Sequence, residues 1–425
     1  MATTSKAKAV PSSSVDNVFA QLIGQHNKIS NGIATSGTHM ESEVKHWIDS
    51  GSLLLNMILS NKQDGGWPSG RICEVFGRES IGKSTLAYVA MASIQKAGGI
   101  AIYADIERAG NKKFMQMLGV NLDELVITNE NVIEKLFQGL EDNLKFLVAN
   151  GIRSDKPVLI VVDSVTALET EAEAEAGFGF NMNIQMKKAM MLGKALKKIV
   201  PMLGKANACL YLVNQIRDNT SGYGDNYVVP GGKSIPFYAS IRLYLQGKSK
   251  IVAKDPTVEN EFQEAMASWK NNGKVGEKPV RGKADEVTIG YEVTAYTKKN
   301  KVAPPDRTAH FRIIFNKGLF DAECFLDYAI KYGIIKQSGA WCEFVHPEIT
   351  KIKVLPKFYP SAWIDILTDN PNIYEKLEQL LVNKLTIEMD GDMSGFSIDT
   401  VEVDAKSEYD VKLDDAPSII AKSED

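Results

Sequence analysis

The sequence predicts an α/β fold built on a mostly parallel, twisted sheet. Between residues 46 and 318, runs of continuous apolar residues such as ICEVF and VLIVV alternate with helical runs such as STLAYVAMASIQKA. Continuous apolar strands are typical of parallel sheets whose two faces are both covered by helices. A glycine-rich turn, GRESIGKS, lies between the first of these strands and the first of these helices. This order of strand, turn and helix is typical of nucleotide-binding α/β proteins.

Composition places the chain among globular proteins. It has 425 residues, 44% of them hydrophobic and 24% charged, which allows two or three domains. No apolar run is long enough to cross a membrane, so we expect no membrane partner. The four cysteines are scattered and form no CxxC pair, so we expect neither a zinc site nor a disulfide framework. This usage fits a reducing, cytoplasmic setting.

The pattern along the chain divides it into five segments. The first apolar positions, from Val15 to Ile23, are spaced as one face of a helix, and a polar Gly/Ser/Thr-rich linker follows them. We expect that helix to dock on a neighbouring subunit. The predicted segments are a disordered N-terminus at 1–14, the helix and linker at 15–45, the core at 46–318 with a polar insertion at about 250–285, a small α+β C-terminal domain at 319–387, and a disordered tail at 388–425.

The net charge of −4 is unevenly distributed. The segment 388–425 has twelve acidic residues and three lysines, so its net charge is −9 and that of the rest is +5. The overall charge therefore does not indicate nucleic-acid binding, and any such binding needs local basic surface. We expect the acidic tail to compete with DNA for that surface in a salt-dependent way.

The turn at 77–84 has the G-x-x-x-x-G-K-[ST] spacing of a phosphate-binding loop. Gly77 and Gly82 permit a tight loop whose backbone N–H groups face phosphates. Lys83 is expected to reach the β- and γ-phosphates of ATP, and the Ser84 hydroxyl to bind Mg²⁺. The predicted ATP-binding loop also includes Arg78, Glu79, Ser80, Ile81 and Thr85.

Acidic residues end two of the predicted strands. Asp163 follows five apolar residues, and a carboxylate at this position can hold Mg²⁺ through water. Asp105 and Glu107 follow another strand, and either carboxylate could activate the attacking water. Alternation along a strand would point the two side chains to opposite faces, and the residues alone do not decide between them.

The order of motifs resembles that of the RecA family of homologous recombinases, and more distantly the phage UvsX recombinases. The resemblance runs from about residue 15 to residue 387. The motifs are SGSLLLNMILSNKQDGGWPSGRICEVFGRESIGKSTL, VVDSVTAL, LVNQIRDNTSGYG, PGGKSIPFYASIRL, KKNKVAPP and QSGAW. Many nucleotide hydrolases share the phosphate loop, but few share all of these motifs in this order.

The resemblance assigns roles in ATP hydrolysis. It implies that Glu107 positions the water, while Asp105 is structural. Phe114 stands where the family has the tyrosine that stacks on adenine, and Asn111 where it has an aspartate that contacts the base. Gln215 is implied to sense the γ-phosphate at the start of the second DNA-binding loop.

The resemblance also implies two glycine-rich DNA-binding loops, at about 175–188 and 215–230. Both depart in detail from the bacterial pattern, and Asp218 and Asn219 follow the arginine of the second loop where the family has a lysine. Cations of these loops would neutralise phosphates, and Met or Tyr side chains would wedge between bases. The predicted DNA-binding residues are Met182, Met186, Lys187, Lys188, Arg217, Tyr223, Gly231 and Gly232.

Two lysines far from the phosphate loop are implied to act on a neighbouring subunit. Lys299 and Lys301 match the paired lysines that contact nucleotide held by the next subunit, whereas Lys298 has no such role. Phe237 matches the aromatic residue at the contact between subunits. Cations supplied in trans would make hydrolysis depend on assembly.

These features predict an ATP- and Mg²⁺-dependent recombinase that forms helical filaments on single-stranded DNA and exchanges strands with duplex DNA. The family's C-terminal domain helps to gate the duplex. We expect a cytoplasmic protein, or one in the host cell if a phage encodes it. Two alternatives are a ring-forming ATPase or helicase of the same fold, and a DNA-coating filament protein that binds ATP without strand exchange.

Overall fold

The structure of the protein is a computed structural model. It describes residues 20–25, 27–28, 43–151, 156–176, 184–219, 227–254, 256–280, 286–315 and 317–387. The chain divides into two compact units, residues 1–44 and residues 45–425. In the first unit, residues 20–25 and 27–28 are helical, within the helix predicted for this region. The segments 1–14 and 388–425, which we predict to be disordered, lie outside the described residues.

The second unit is organised around a sheet that has nine strands within the described residues. Six neighbouring strands run parallel, in the order β10, β3, β7, β6, β4, β5, and β11, β12 and β13 continue the sheet antiparallel beyond β10. The strands of this sheet are β3 (Ile72–Gly77), β4 (Ile100–Asp105), β5 (Leu125–Thr128), β6 (Val158–Asp163), β7 (Ala208–Gln215), β10 (Ile241–Lys254), β11 (Glu286–Asn300), β12 (Thr308–Ile314) and β13 (Gly318–Phe320).

Short ribbons accompany the main sheet. They pair β1 with β2, β8 with β9 and β14 with β15, each antiparallel. Their strands are β1 (Trp47–Ile48), β2 (Trp67–Pro68), β8 (Arg217–Asp218), β9 (Tyr227–Val228), β14 (Ile335–Ser338) and β15 (Trp341–Phe344).

Helices connect the strands of the core and build the C-terminal part. In the core they are α1 (Leu53–Ser60), α2 (Lys83–Lys96), α3 (Lys112–Met117), α4 (Ile133–Ala149), α5 (Glu171–Ala176), α6 (Ile184–Ala206), α7 (Ser234–Tyr238) and α8 (Pro256–Asn271). Towards the C-terminus they are α9 (Phe325–Lys331), α10 (Pro347–Thr350), α11 (Trp363–Asp369) and α12 (Pro371–Leu385).

Successive residues of the central strands point to two different cores. Tyr103 belongs to a cluster that includes α2 and the C-terminal helices, whereas its neighbour Ile102 belongs to a cluster that includes α4 and α6. This alternation is the period of a strand, and both faces are apolar because helices cover both. The continuous apolar runs predicted to be buried parallel strands are therefore confirmed.

The antiparallel side of the sheet was only partly predictable. The strand β10 extends to Lys254, and with β11 it forms a long hairpin whose connecting segment contains α8. This hairpin carries most of the predicted insertion. The strands β12 and β13, and β5 at the opposite edge, were not predicted from the sequence.

The C-terminal residues share a hydrophobic core with the rest of the second unit. Trp363 and Leu377 belong to the same buried cluster as Leu54 of α1. Asp321 Oδ2 accepts a hydrogen bond from the backbone N–H of Leu54, at the N-terminus of that helix (3.1 Å). The boundary at 318/319 stays a prediction. Among the described residues, no helix has the length and apolar character needed to cross a membrane.

A buried polar network ties three neighbouring strands together. Glu74 on β3 is fully buried and accepts hydrogen bonds from Arg242 Nε on β10 (2.5 Å) and Asn214 Nδ2 on β7 (2.9 Å). Asn214 Nδ2 also donates to the carbonyl of Pro230 (2.9 Å), and its Oδ1 accepts from the Thr166 hydroxyl (3.0 Å). The guanidinium of Arg242 lies over the ring of Phe76 (4.8 Å). Glu74 is thus a buried charge that is both paired and hydrogen-bonded.

Replacing Glu74 tests the contribution of this network to stability. Glu74→Ala leaves the Arg242 guanidinium without its buried partner, so we expect the free energy of unfolding to fall by about 3–5 kcal/mol. Chemical denaturation followed by circular dichroism measures the change. The matched control is Glu343→Ala, which removes the exposed ion pair with Lys357 (3.3 Å) and should cost less than about 1 kcal/mol. Equal losses in the two variants would contradict this assignment.

Candidate functional site

A large cavity opens at the carboxyl ends of the parallel strands. Its volume is about 680 Å³, enough for a nucleotide-sized ligand. Such sites at the carboxyl ends of strands are the usual ligand sites of open α/β sheets. The residues that line it are Glu79, Ser80, Gly82, Lys83, Ser84, Thr85, Glu107, Phe114, Asp163, Val213, Gln215, Tyr291, Ile313 and Phe315.

The predicted phosphate loop leads from β3 into α2. Ser80 and Gly82 have positive φ angles of 60° and 94°. A side chain at Gly82 would also collide with Ile313 of β12, so this position needs glycine for two reasons. Lys83 Nζ donates to the carbonyl oxygens of Gly77 (3.1 Å) and Arg78, and burial lowers the pKa of its amine. The loop thus presents a buried amine and the start of a helix to the cavity, a combination suited to phosphate.

Ser84 and Asp163 come together from α2 and β6. The Ser84 hydroxyl donates to Asp163 Oδ2 (2.6 Å), and burial raises the pKa of Asp163 to about 6. A hydroxyl beside a carboxylate, next to a phosphate loop, is the oxygen donor set that Mg²⁺ prefers, so these residues fit the ion. The peptide bond between Asp163 and Ser164 is cis.

The two carboxylates after β4 have different surroundings. Asp105 accepts hydrogen bonds from the backbone N–H groups of Ala109 (3.1 Å) and Gly110 (3.0 Å), so it holds the turn that follows the strand. Glu107 lines the cavity, where its Oε1 accepts hydrogen bonds from Ser164 Oγ and Gln215 Nε2 (3.1 Å). The argument from strand alternation does not apply, because β4 ends at Asp105. Of the two, Glu107 is placed to meet a water in the cavity.

Gln215 joins this cavity to the second predicted DNA-binding loop. It is the last residue of β7 and lies opposite Gly77 in the register of β7 with β3. Its side chain contacts Glu107, while the backbone of the next residue, Ile216, donates to the carbonyl of Gly77 (3.3 Å). The start of the second loop is therefore joined to Glu107 by a side-chain hydrogen bond and to the phosphate loop by a backbone hydrogen bond.

The aromatic side of the cavity is formed by Phe114 with Tyr291 and Phe315. Phe114 is half-buried and packs edge-on against Tyr88, with ring centroids 6.0 Å apart. Asn111 caps the helix that carries Phe114, because its Oδ1 accepts a hydrogen bond from the Phe114 N–H (3.1 Å). This capping bond engages the side-chain oxygen of Asn111, the residue that the resemblance predicts to contact the base.

The base of the second loop is a two-stranded ribbon of β8 and β9. Arg217 and Asp218 are both exposed there, and Asp218 pairs with Arg78 of the phosphate loop (2.8 Å). Tyr227 on β9 stacks on Tyr244 of β10, with ring centroids 5.3 Å apart. Tyr223 lies outside the described residues.

The first predicted DNA-binding loop is only partly described, and Met182 lies outside the described residues. Met186 and Lys187 are exposed in the first turn of α6. Lys188 instead turns inward, where its Nζ donates to the carbonyl of Thr166 (2.8 Å) and burial lowers its pKa.

Residues 231–238 continue the second loop into α7. Gly231 and Gly232 adopt positive φ angles of 102° and 68°, and the side chains of Ile235 and Ala189 crowd the positions that added Cβ atoms would take. The Phe237 ring is 70% exposed. An exposed aromatic ring of this kind suits a contact with another subunit.

The paired lysines lie at the end of β11, and neither lines the cavity of its own chain. Lys299 is half-buried, and its Nζ donates to the carbonyl oxygens of Pro236 and Phe237 (3.2 Å) in α7. Lys301 is exposed. Lys298 lies over the ring of Tyr296 (4.7 Å). The position of Lys299 connects it with the helix that presents Phe237.

Several residues of the site were missed by sequence reasoning. Tyr291, Ile313 and Phe315 reach the cavity from the antiparallel side of the sheet, and no local motif marks them. Ser164 directly follows Asp163, so its position next to the predicted acidic strand end could have marked it as a site residue. Arg78 and Asp218 are 140 residues apart in the sequence, so no local spacing of residues predicts that they form an ion pair.

Comparison with known proteins agrees with the geometry. Residues 17–273 match the family model of the RecA N-terminal domain. The chain is 34% identical to Protein RecA of Borrelia duttonii over 75% of each chain, and 32% identical to Protein RecA of Rippkaea orientalis over 80% of this chain and 83% of the relative. It is also 34% identical to Protein RecA of Treponema denticola, over 80% of this chain and 70% of the relative. The chain therefore belongs to the RecA family of recombinases.

Proposed function

We propose that this protein hydrolyses ATP while assembled as a helical filament on single-stranded DNA, and that the filament exchanges strands with homologous duplex DNA. The observation that carries the proposal is the contact of Gln215 with Glu107 (3.1 Å). It joins the residue best placed to orient a water with the start of the second loop, where Arg217 and Asp218 are exposed. Family membership supports the same activity.

In the proposed mechanism, Lys83 and the backbone of residues 77–82 hold the phosphates of ATP. Ser84 would hold Mg²⁺ directly and Asp163 through water, and the ion would supply neutralisation of the phosphate charge. Glu107 accepts a proton from the attacking water, with Ser164 and Gln215 fixing its carboxylate. Phe114 stacks on the base.

The proposed filament completes each site with residues of the next subunit. Lys299 and Lys301 supply positive charge to the nucleotide held by the neighbour, and the exposed Phe237 ring packs against that neighbour. Lys299 is bonded to α7 in the free chain, so reaching a neighbour requires it to leave the carbonyl oxygens of Pro236 and Phe237. Assembly and rearrangement of α7 are therefore coupled in this proposal.

In the proposed DNA contacts, the exposed cations Lys187 and Arg217 neutralise phosphates. The side chains of Met186, Met182 and Tyr223 insert between bases, and the last two lie outside the described residues. Lys188 joins the two cations only if it leaves the Thr166 carbonyl. The positive φ angles of Gly231 and Gly232 let the backbone that follows the second loop turn close to the DNA strand. We also propose a cytoplasmic location, since the four cysteines are buried free thiols, as suits a reducing compartment.

Glu107→Gln tests the catalytic assignment and the filament together. The amide keeps the shape but cannot accept the proton, so we expect DNA-dependent ATP turnover to fall by at least about 100-fold. Electron microscopy with ATP and single-stranded DNA should then show persistent helical filaments. Asp105→Asn is the comparison and should lose much less turnover. Unchanged turnover in Glu107→Gln would refute its role, and closed rings without filaments would favour the ring ATPase.

Phe114→Ala tests the base site. Loss of stacking worth about 1–3 kcal/mol should weaken binding of a non-hydrolysable ATP analogue by about 5- to 150-fold. Binding of inorganic tripolyphosphate, which has no base, should stay the same. Phe146→Ala serves as the control because Phe146 is 65% exposed on α4. An equal loss for the analogue and for tripolyphosphate would argue against stacking.

Mixing two inactive variants tests the supply of lysines in trans. Lys299→Ala/Lys301→Ala should reduce DNA-stimulated turnover by at least about 100-fold, because charge at the developing γ-phosphate is lost. Mixed with Glu107→Gln, it should regain part of the turnover, since one kind of interface then combines intact lysines with an intact Glu107. Lys298→Ala is the control and should remain active. No recovery in mixed filaments would count against sharing of the site.

A further inference from the structure

Two tyrosines lie beneath the candidate magnesium site and take no part in the mechanism above. Tyr103 on β4 and Tyr88 on α2 are both buried, and their rings meet edge to face with centroids 5.8 Å apart. Their hydroxyl oxygens are 3.3 Å apart, and the Tyr103 hydroxyl is 3.5 Å from Asp163 Oδ2. We call Tyr88 and Tyr103 the phenol pair.

The phenol pair ends at an acceptor. The Asp163 carboxylate lies beside the Tyr103 hydroxyl, and the Tyr88 ring contacts Phe114 at the other end of the pair. Because a carboxylate is the strongest acceptor of the set, the Tyr103 proton points to Asp163 and the Tyr88 proton points to Tyr103. The order of donation thus runs from Tyr88 to Asp163.

A carboxylate needs such partners to hold its orientation. The terminal torsion of an aspartate is broad, so packing alone does not fix the rotation of its two oxygens. Ser84 and Tyr103 both reach Oδ2, from α2 and from β4. Ser84 can bind Mg²⁺ through a lone pair and still donate its proton to Asp163. Tyr103 is a second hydroxyl donor to the same oxygen and is not itself expected to bind the ion.

We propose that Tyr103 is a positioning residue for Asp163, and that Tyr88 orders the Tyr103 hydroxyl. The inference rests on the proposed nucleotide site. Partners of metal-binding side chains commonly change metal affinity when they are removed. At 3.5 Å the bond is at the outer limit of hydrogen bonding, so we expect a smaller effect than the roughly 10- to 100-fold loss that is common for such partners.

Tyr103→Phe in the full chain removes the hydroxyl and keeps the ring. The measurement is the Mg²⁺ concentration that gives half-maximal binding of a fluorescent non-hydrolysable ATP analogue. We expect this concentration to rise roughly three- to tenfold, while the affinity for the analogue in EDTA stays the same. An equal affinity loss with and without Mg²⁺ would indicate a merely structural role and overturn the inference, as would an unchanged Mg²⁺ requirement.

Tyr211→Phe is the matched control. Tyr211 lies on β7 in the same buried cluster and packs edge-on against Trp67, with centroids 4.8 Å apart. Its hydroxyl has no hydrogen-bond partner within the described part of the chain. The same loss of an oxygen atom should leave the Mg²⁺ requirement at the wild-type value.

Tyr88→Phe provides a second, independent variant. We expect a smaller rise in the Mg²⁺ requirement, and no further rise when it is added to Tyr103→Phe. If Tyr103→Phe does not fold by circular dichroism, an unchanged requirement in Tyr88→Phe overturns the inference. Wild-type protein that binds no analogue with Mg²⁺ would instead refute the proposed nucleotide site, so the two failures are distinguishable.

Discussion

The parallel pairing of β7 with both β3 and β6 is the constraint on which the candidate site depends. It places Gln215 level with Gly77 on one side and Val213 level with Asp163 on the other. The phosphate loop, the Asp163 carboxylate and the start of the second loop therefore meet at one edge of the sheet. Because backbone hydrogen bonds hold this register, the spacing among these groups does not rely on their side chains. The side chains add functional groups at positions that the register of the sheet has already fixed.

Buried polar side chains add further contacts between the strands that lie at the candidate site. Glu74, Asn214 and Arg242 join β3, β7 and β10 in a buried network, and Asn214 extends the network to Pro230 at the end of the second loop. A network of this kind is sensitive to the loss of any member, since an unpaired buried charge is costly. It also means that both ends of the second loop are anchored to the strand that bears Gln215.

Sequence reasoning located structural elements where a motif is local and missed contacts where two distant segments meet. The phosphate loop, with Lys83 and Ser84, is contiguous, and its backbone requirements are visible in its glycines. Asp163 was placed by the apolar strand before it. Asp105 and Glu107 could not be separated by physical reasoning alone, because that required knowing where β4 ends and which side chain the next turn uses. Tyr291, Ile313 and Phe315 were missed because antiparallel strands far along the chain bring them to the cavity.

The sequence by itself determined the α/β class, the phosphate loop, the acidic strand end and membership in a family with a characteristic order of motifs. These features depend on periodicity and on short contiguous segments, which carry their own physical signal. Only the tertiary structure decided that Glu107 faces the cavity, that Lys188 bonds inward to Thr166, that Lys299 is held by α7, and that two tyrosines lie beneath Asp163. Each of these depends on contacts between segments brought together by strand order and register. No local pattern in a single chain specifies such contacts.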